Sequence, residues 1–284
     1  MNFSQSIFSI VFCLGFIFLP ACDKTDDVPM TPTPHGDEQA VPVYNQAYQE
    51  NYEEDKVEDI VVNARNAYVL IDPFENNVSA SVAEIKAQGN EVGAYISIGT
   101  GEDWRSDFAA LQPYLVSQQW GQWAGEYFVD ETTTGILPIM KARIDKIAAW
   151  GCDWVEFDNM DWVDDDDLRS QYGFHATKAE GVAFYQALCD YVHANGMKCM
   201  AKNTVDGASD FDGVLYESYS DDKNWWDVAG AKSFLAAGKL VIINHYNESN
   251  CDQVYRDYLE IYGNGISYIC ESSKEKKYIH YNQN

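Results

Sequence analysis

Basic residues are scarce. The 284-residue chain sets 19 Lys and Arg against 45 Asp and Glu, a net charge of −26. That excludes nucleic acid as a partner, because a phosphate backbone needs a basic face. No Cys-x-x-Cys pair occurs, so the common zinc-ligand spacing is missing. No glycine-rich phosphate loop follows a strand candidate. The aspartate run Asp164 to Asp167 lacks the glycine that a calcium loop carries at its sixth position. The sequence therefore predicts no metal and no cofactor, and a metal-dependent hydrolase using this aspartate run stands as a rival expectation. The apolar stretch from Ile7 to Leu19 is too short to span a bilayer comfortably.

Aromatic residues, by contrast, are plentiful: 14% of the chain, with 8 Trp and 19 Tyr. Any one of them fits a core, but a surplus suits carbohydrate, whose ring faces stack on aromatic rings. An apolar share of 46% is enough for a sizeable core. The acidic balance keeps the protein soluble, and an acidic cleft would also concentrate a cationic ligand.

The chain opens on an export signal, residues 1–21, that runs into Leu19-Pro20-Ala21-Cys22. This predicts a lipoprotein of a bacterial envelope or cell surface, its lipid on Cys22 and its membrane contact confined to that anchor. The segment before the apolar run carries no Lys or Arg, and a plain secretory signal is the alternative. Residues 22–43 are polar and proline-bearing, a flexible tether. Residues 44–284 are expected to form one domain. Of its five cysteines, Cys251 with Cys270 or Cys189 with Cys199 could pair, and the odd number leaves at least one free thiol.

Beyond the tether, strand and helix patterns alternate. Strand candidates are 67–72, 92–98, 127–130, 153–157, 197–202, 213–217, 240–244 and 265–270. Helices are expected over 44–64, 78–88, 108–118, 136–150, 177–194, near Ala208, and over 225–237 and 251–262, several closed by a glycine. Eight such units predict an α/β fold, a closed (β/α)8 TIM barrel.

The stretch from Gly151 to Asp167 organises the rest. It begins as a buried strand, Trp154 to Phe157, and ends as an acidic loop, where catalytic groups of parallel α/β folds gather. The four aspartates Asp164 to Asp167 read as a solvated loop. The remaining strand ends supply a coherent set: Asp72; Tyr95 and Ser97, then Trp104 and Arg105; Asp130; Asp158, Asn159, Asp161 and Trp162; Lys202 and Asn203; Glu217; and Tyr246. Carboxylates, amides and aromatics on one face are what a sugar site requires. Asp158 and Glu217 are the expected catalytic pair, 59 residues apart, as two βα units would place them. The other twelve are expected to bind substrate. Asp158 lies among polar groups that favour a carboxylate, the nucleophile or base. Glu217, flanked by Tyr216 and Tyr219, has a less polar setting that favours the acid.

Five blocks resemble glycoside hydrolase family 114: VGAYISIGTGEDWRSDF (92–108), WAGEYFVD (123–130), IMKARIDKIAAWGCDWVEFDNMD (139–161), AKN (201–203) and FDGVLYES (211–218). The resemblance implies a (β/α)8 barrel of the endo-α-1,4-polygalactosaminidase type. It also implies a galactosamine-type polysaccharide as substrate and an acidic pair at Asp158 and Glu217. Where the family often has Asp-Pro-Asp-Asn, this chain has Glu156-Phe157-Asp158-Asn159, which bears on substrate preference. The rival expectation from another class is a non-catalytic, glycan-binding surface lipoprotein on the same barrel.

Overall fold

Residues 44, 46–47, 56–75, 77–119, 123–130, 134–160, 165–219 and 227–282 are described by a computed structural model. The first half contains β1 (Gln46–Ala47), α1 (Val57–Asn63), β2 (Tyr68–Ile71), α2 (Val82–Lys86), β3 (Glu91–Ser97), β4 (Thr100–Glu102), α3 (Phe108–Leu111), β5 (Leu115–Gln119), β6 (Glu126–Val129), α4 (Ile136–Trp150) and β7 (Trp154–Asp158). The second half adds α5 (Asp166–Tyr172), α6 (Lys178–Ala194), β8 (Lys198–Lys202), β9 (Gly213–Tyr219), α7 (Val228–Ala236), β10 (Leu240–Glu248), α8 (Cys251–Tyr262), β11 (Ser267–Ser272) and β12 (Lys277–His280).

Eight strands run parallel in the order β1-β2-β3-β7-β8-β9-β10-β11. The sheet curls until its ends meet: β1 lies against β11, and the Tyr44 amide donates to Ser267 Oγ at 2.5 Å. This is the (β/α)8 barrel. Period-two alternation divides the strand residues between two cores. Tyr68, Leu70, Trp154, Met200, Leu215, Leu240, Ile242 and Ile269 fill the interior, joined by Tyr278 from the last strand. The intervening residues, such as Val69, Val155, Phe157, Cys199, Val214 and Ile243, face the helices. Gly93 is required beside Tyr68, since a Cβ there would sit 2.2 Å from the tyrosine hydroxyl oxygen.

Several strand assignments change. The segment expected as the third barrel strand forms β6 instead, in a separate antiparallel sheet ordered β4-β6-β5, and β3 pairs with β7 directly. The barrel position it leaves is made up by β1, within a segment expected to be helical throughout. A hairpin strand not expected from sequence, β12, pairs antiparallel with β11. The expected helix over 108–118 stops at Leu111, passes through a 3-10 turn containing Pro113, and becomes β5. Near Ala208 the chain makes turns rather than a helix.

Helix ends follow local chemistry. The αL conformation of Gly151 closes α4, and Thr177 with Glu180 forms a full capping box on α6. The aspartate run is not simply a solvated loop. Asp165 accepts from the Leu168 amide as the N-cap of α5, and Asp166 and Asp167 lie in its first turn, where the helix dipole favours negative charge.

Cys251 and Cys270 form a disulfide that ties the start of α8 to β11, while Cys152, Cys189 and Cys199 are free and buried. No helix among the described residues is long and apolar enough to cross a membrane. The disulfide closes a sequence separation of 19 residues. Replacing both cysteines with alanine should cost about 3 kcal/mol on the chain-entropy estimate. Denaturant unfolding of the oxidised protein and the double variant measures this. Equal midpoints would show that the bridge adds nothing.

Candidate active site

Alternation on the strands decides which side chains meet. Glu156 and Asp158 are two residues apart on β7, so both point inward, as do Lys202 at the end of β8 and Glu217 near the end of β9. The Lys202 ammonium lies 2.9 Å from Glu156 Oε1, 3.6 Å from Asp158 Oδ1 and 3.4 Å from Glu217 Oε1. Glu156 is wholly buried and Lys202 nearly so, while the Asp158 and Glu217 side chains are each 18% exposed, at the opening. Burial would discharge Lys202, but the three carboxylates outweigh it and raise its pKa well above the ordinary lysine value. Burial pushes Glu156 up to about 7, against the opposing pull of Lys202.

Each mouth carboxylate is braced. Tyr95 hydrogen-bonds Asp158, and burial first and then the Asp158 charge keep that phenol protonated. Glu217 Oε1 accepts from the Tyr246 hydroxyl at 3.0 Å, and Tyr246 in turn accepts from Asn244 Nδ2 at 2.9 Å. Asn203, in the left-handed region at φ 60°, receives the Glu217 amide at 2.8 Å and reaches Glu217 Oε2 at 3.4 Å. The expected apolar setting of Glu217 is therefore corrected. Tyr216 faces the helices, and Lys202, Asn203 and Tyr246 surround the carboxylate; the Tyr219 side chain lies outside the described set.

A second network supports the turn after Asp158. Asn159 adopts φ 62° and its Nδ2 donates to Ser97 Oγ at 2.9 Å, Thr100 Oγ1 at 3.1 Å and Glu126 Oε1 at 2.8 Å. Thr100 Oγ1 also donates to Glu126 at 2.5 Å. Burial pushes Glu126 up to about 7, with Glu102 and Asp158 adding to the effect and the bonds from Thr100 and Asn159 opposing it. Ser97, expected to bind substrate, is fully buried in this network.

Asp72 and Arg105 are engaged with each other. Arg105 grips Asp72 through both Nη atoms, at 3.1 and 2.6 Å, and Glu102 through Nε and Nη2, at 2.8 and 2.9 Å. Such paired bonds fix geometry as well as charge. A cavity of about 250 Å³ adjoins this cluster, lined in part by Phe74, Glu75, Tyr95 and a Trp104 that is half exposed. It adjoins the Asp158–Glu217 pair through Tyr95 and does not contain either carboxylate. Asp130, carried by the antiparallel sheet, accepts from the His175 amide at 3.2 Å. Asp161 and Trp162 lie outside the described residues. Among the described residues, no group of three or more His, Cys, Asp or Glu side chains could hold a metal ion.

Sequence reasoning gave no role to Glu156 or Glu126. The signal for Glu156 was its phase, two residues before Asp158 on one strand. Glu126 had a weaker one, an acid at the start of an apolar strand inside a block that resembled the family.

A parallel barrel with carboxylates at its mouth is an arrangement that glycoside hydrolases use, and the class is shown by the family match. The chain belongs to Glycoside-hydrolase family GH114, whose pattern it matches over residues 30–284. Among solved structures it is similar to Ega3 of Aspergillus fumigatus in complex with galactosamine, with a TM-score of 0.65 and 20% identity over 85% of this chain and 96% of that one. It is also similar to the glycoside hydrolase domain of PelA from Pseudomonas aeruginosa, with a TM-score of 0.61 and 14% identity over 84% of this chain and 98% of that one. No curated protein sequence matches the chain.

Because Glu126 binds its proton more tightly in the folded state, its contribution is favourable at low pH and is lost as pH rises through about 7. Glu126→Gln, which imitates the protonated form, should match the wild-type melting temperature at pH 5 and exceed it at pH 8. A parallel drop at both pH values would show that the carboxyl does not titrate as described.

Proposed function

We propose that this glycoside hydrolase cleaves α-1,4-linked galactosamine-type polysaccharide, with Asp158 as nucleophile and Glu217 as acid and base. The observation that carries the reading is the Lys202 ammonium set between these two carboxylates at the mouth of the barrel. The two oxygens facing Lys202 are separated by no more than the two legs together, about 7 Å. A retaining pair stands roughly 5–5.5 Å apart and an inverting pair roughly 6.5–9.5 Å, so the bound admits the whole retaining range and only the lower end of the inverting one.

In the first step Asp158 attacks the anomeric carbon, the glycosidic C–O bond breaks, and Glu217 gives its proton to the departing oxygen. The negative charge thereby moves from Asp158 to Glu217. Lys202 is nearly equidistant from both, so it stabilises the pair before and after the transfer. In the second step Glu217 takes a proton from water, the hydroxide adds to the anomeric carbon, and Asp158 leaves as a carboxylate. Tyr95, Asn159, Lys202, Asn203 and Tyr246 hold these groups in place. Trp104, half exposed beside the cavity, offers a stacking face, with Asp72 and Arg105 supporting its loop. A galactosamine unit bears an ammonium near neutral pH, and the strongly acidic chain would attract it. The complex of the similar Ega3 with galactosamine supports the same substrate class.

Asp158→Asn and Glu217→Gln should each reduce hydrolysis of a galactosamine oligomer by about 10²–10⁴ while leaving the melting temperature within a few degrees of wild type. Retention of more than a tenth of the activity by Asp158→Asn would make that residue structural.

The N-terminal reading continues as part of this proposal: residues 1–21 are a signal, Cys22 carries lipid, 22–43 tether, and 44–284 form the barrel. Cys22→Ala should move the protein from the membrane fraction to the soluble one. Unchanged membrane fractionation would remove the anchor.

A further inference from the structure

We propose that Glu156 is a positioning residue for the hydrolysis, whose charge, acting through Lys202, keeps the catalytic proton on the mouth pair as pH rises. The inference rests on the roles given above to Asp158 and Glu217. Its starting point is a conflict in the geometry. An ammonium stands 3.4 Å from Glu217, yet bond cleavage begins with a proton on that residue. Something must weaken the hold of Lys202. Glu156 is the closest of its three partners, at 2.9 Å, and is wholly buried.

The groups facing Glu156 come from every neighbouring strand. They are Lys202 on β8, Glu217 on β9, Tyr68 on β2, Tyr95 level with it on β3, and Asp158 on its own strand. Lys202 is the one cation among them. Glu156 Oε2 and the Tyr68 hydroxyl are both buried without a hydrogen-bond partner among the described residues. Lys202 is thus the main counter-charge for Glu156, and Glu156 is the closest competitor for Lys202.

Burial pushes Glu156 up to about 7. Below that pH it carries a proton and adds no charge. Above it, a negative charge appears beneath Lys202, at most about 6 Å from Glu217 by the two legs through the ammonium. A second negative charge at the mouth then becomes harder to form, so the proton there is lost only at higher pH.

Two experiments test this. The first is the pH profile of kcat/KM on a galactosamine oligomer for the wild type, Glu156→Gln and Glu156→Asp. Glu156→Gln should lower the alkaline limb by about 1–2 pH units, the size of one unit charge at that distance in a partly screened site. Its profile should coincide with wild type near pH 5, and Glu156→Asp, which keeps the charge, should restore the limb. A uniform loss at every pH, with the limb unmoved, would overturn the proposal and leave Glu156 a packing residue. The second is a ¹³C titration of carboxyl-labelled glutamates in the wild-type protein, which requires neither turnover nor a folded variant. A buried glutamate and Glu217 should move together in two coupled steps, and independent single steps would overturn the proposal. Absence of any hydrolysis would defeat the functional reading alone, since the titration still decides the coupling.

Discussion

One lysine shared among three carboxylates sets the character of this protein. Burial works against the Lys202 charge, the carboxyl groups of Asp158, Glu156 and Glu217 work for it, and Lys202 in turn is their shared counter-charge. Lys202 is the point at which the three carboxylates meet, since each lies within 4 Å of its ammonium. They come from three adjacent strands, and only the inward phase of each strand brings them to one point. The barrel is the device that makes this possible, because its strands differ in sequence position but share a mouth.

The surroundings extend the same logic outward. Asn159 and Asn203, the residues that follow Asp158 and Lys202, both take left-handed backbone and turn their amides back toward the site. Asparagine tolerates that conformation better than most residues. Glu126 and Thr100 come from the antiparallel sheet that has left the barrel wall, so this excursion has a purpose: it carries a second buried carboxyl to the turn after Asp158. Farther out, Arg105 locks Asp72 and Glu102 together beside the cavity that Trp104 lines. Order thus passes from the site to its loops through charge-assisted bonds rather than apolar contact.

Much of this was legible in the amino-acid order. Apolar alternation and glycine-closed helices were enough for the barrel, and acids at the ends of apolar runs pointed to Asp158 and Glu217, whose side chains lie together beside Lys202. What was not legible depended on partners distant in sequence. The 127–130 segment has a strand's composition in either sheet, so only its pairing could remove it from the barrel. Gln46–Ala47 is too short to carry a strand pattern. Glu156 was read only as part of its strand, because its counter-charge, Lys202, lies 46 residues later. The setting of Glu217 was misjudged because its sequence neighbour Tyr216 points to the opposite face of the strand. Nearness in sequence is poor evidence of contact in a strand, where adjacent side chains diverge.

The stereochemistry of the product tests the account most directly, since it depends on the spacing that Lys202 imposes on Asp158 and Glu217. A galactosamine oligomer with α-1,4 linkages can be followed by proton NMR from the first turnovers, before mutarotation mixes the anomers. The account predicts that new reducing ends appear first as the α anomer, through an intermediate on Asp158. First appearance of the β anomer would contradict it, because the pair would then have to stand far enough apart to admit a water between carboxylate and sugar.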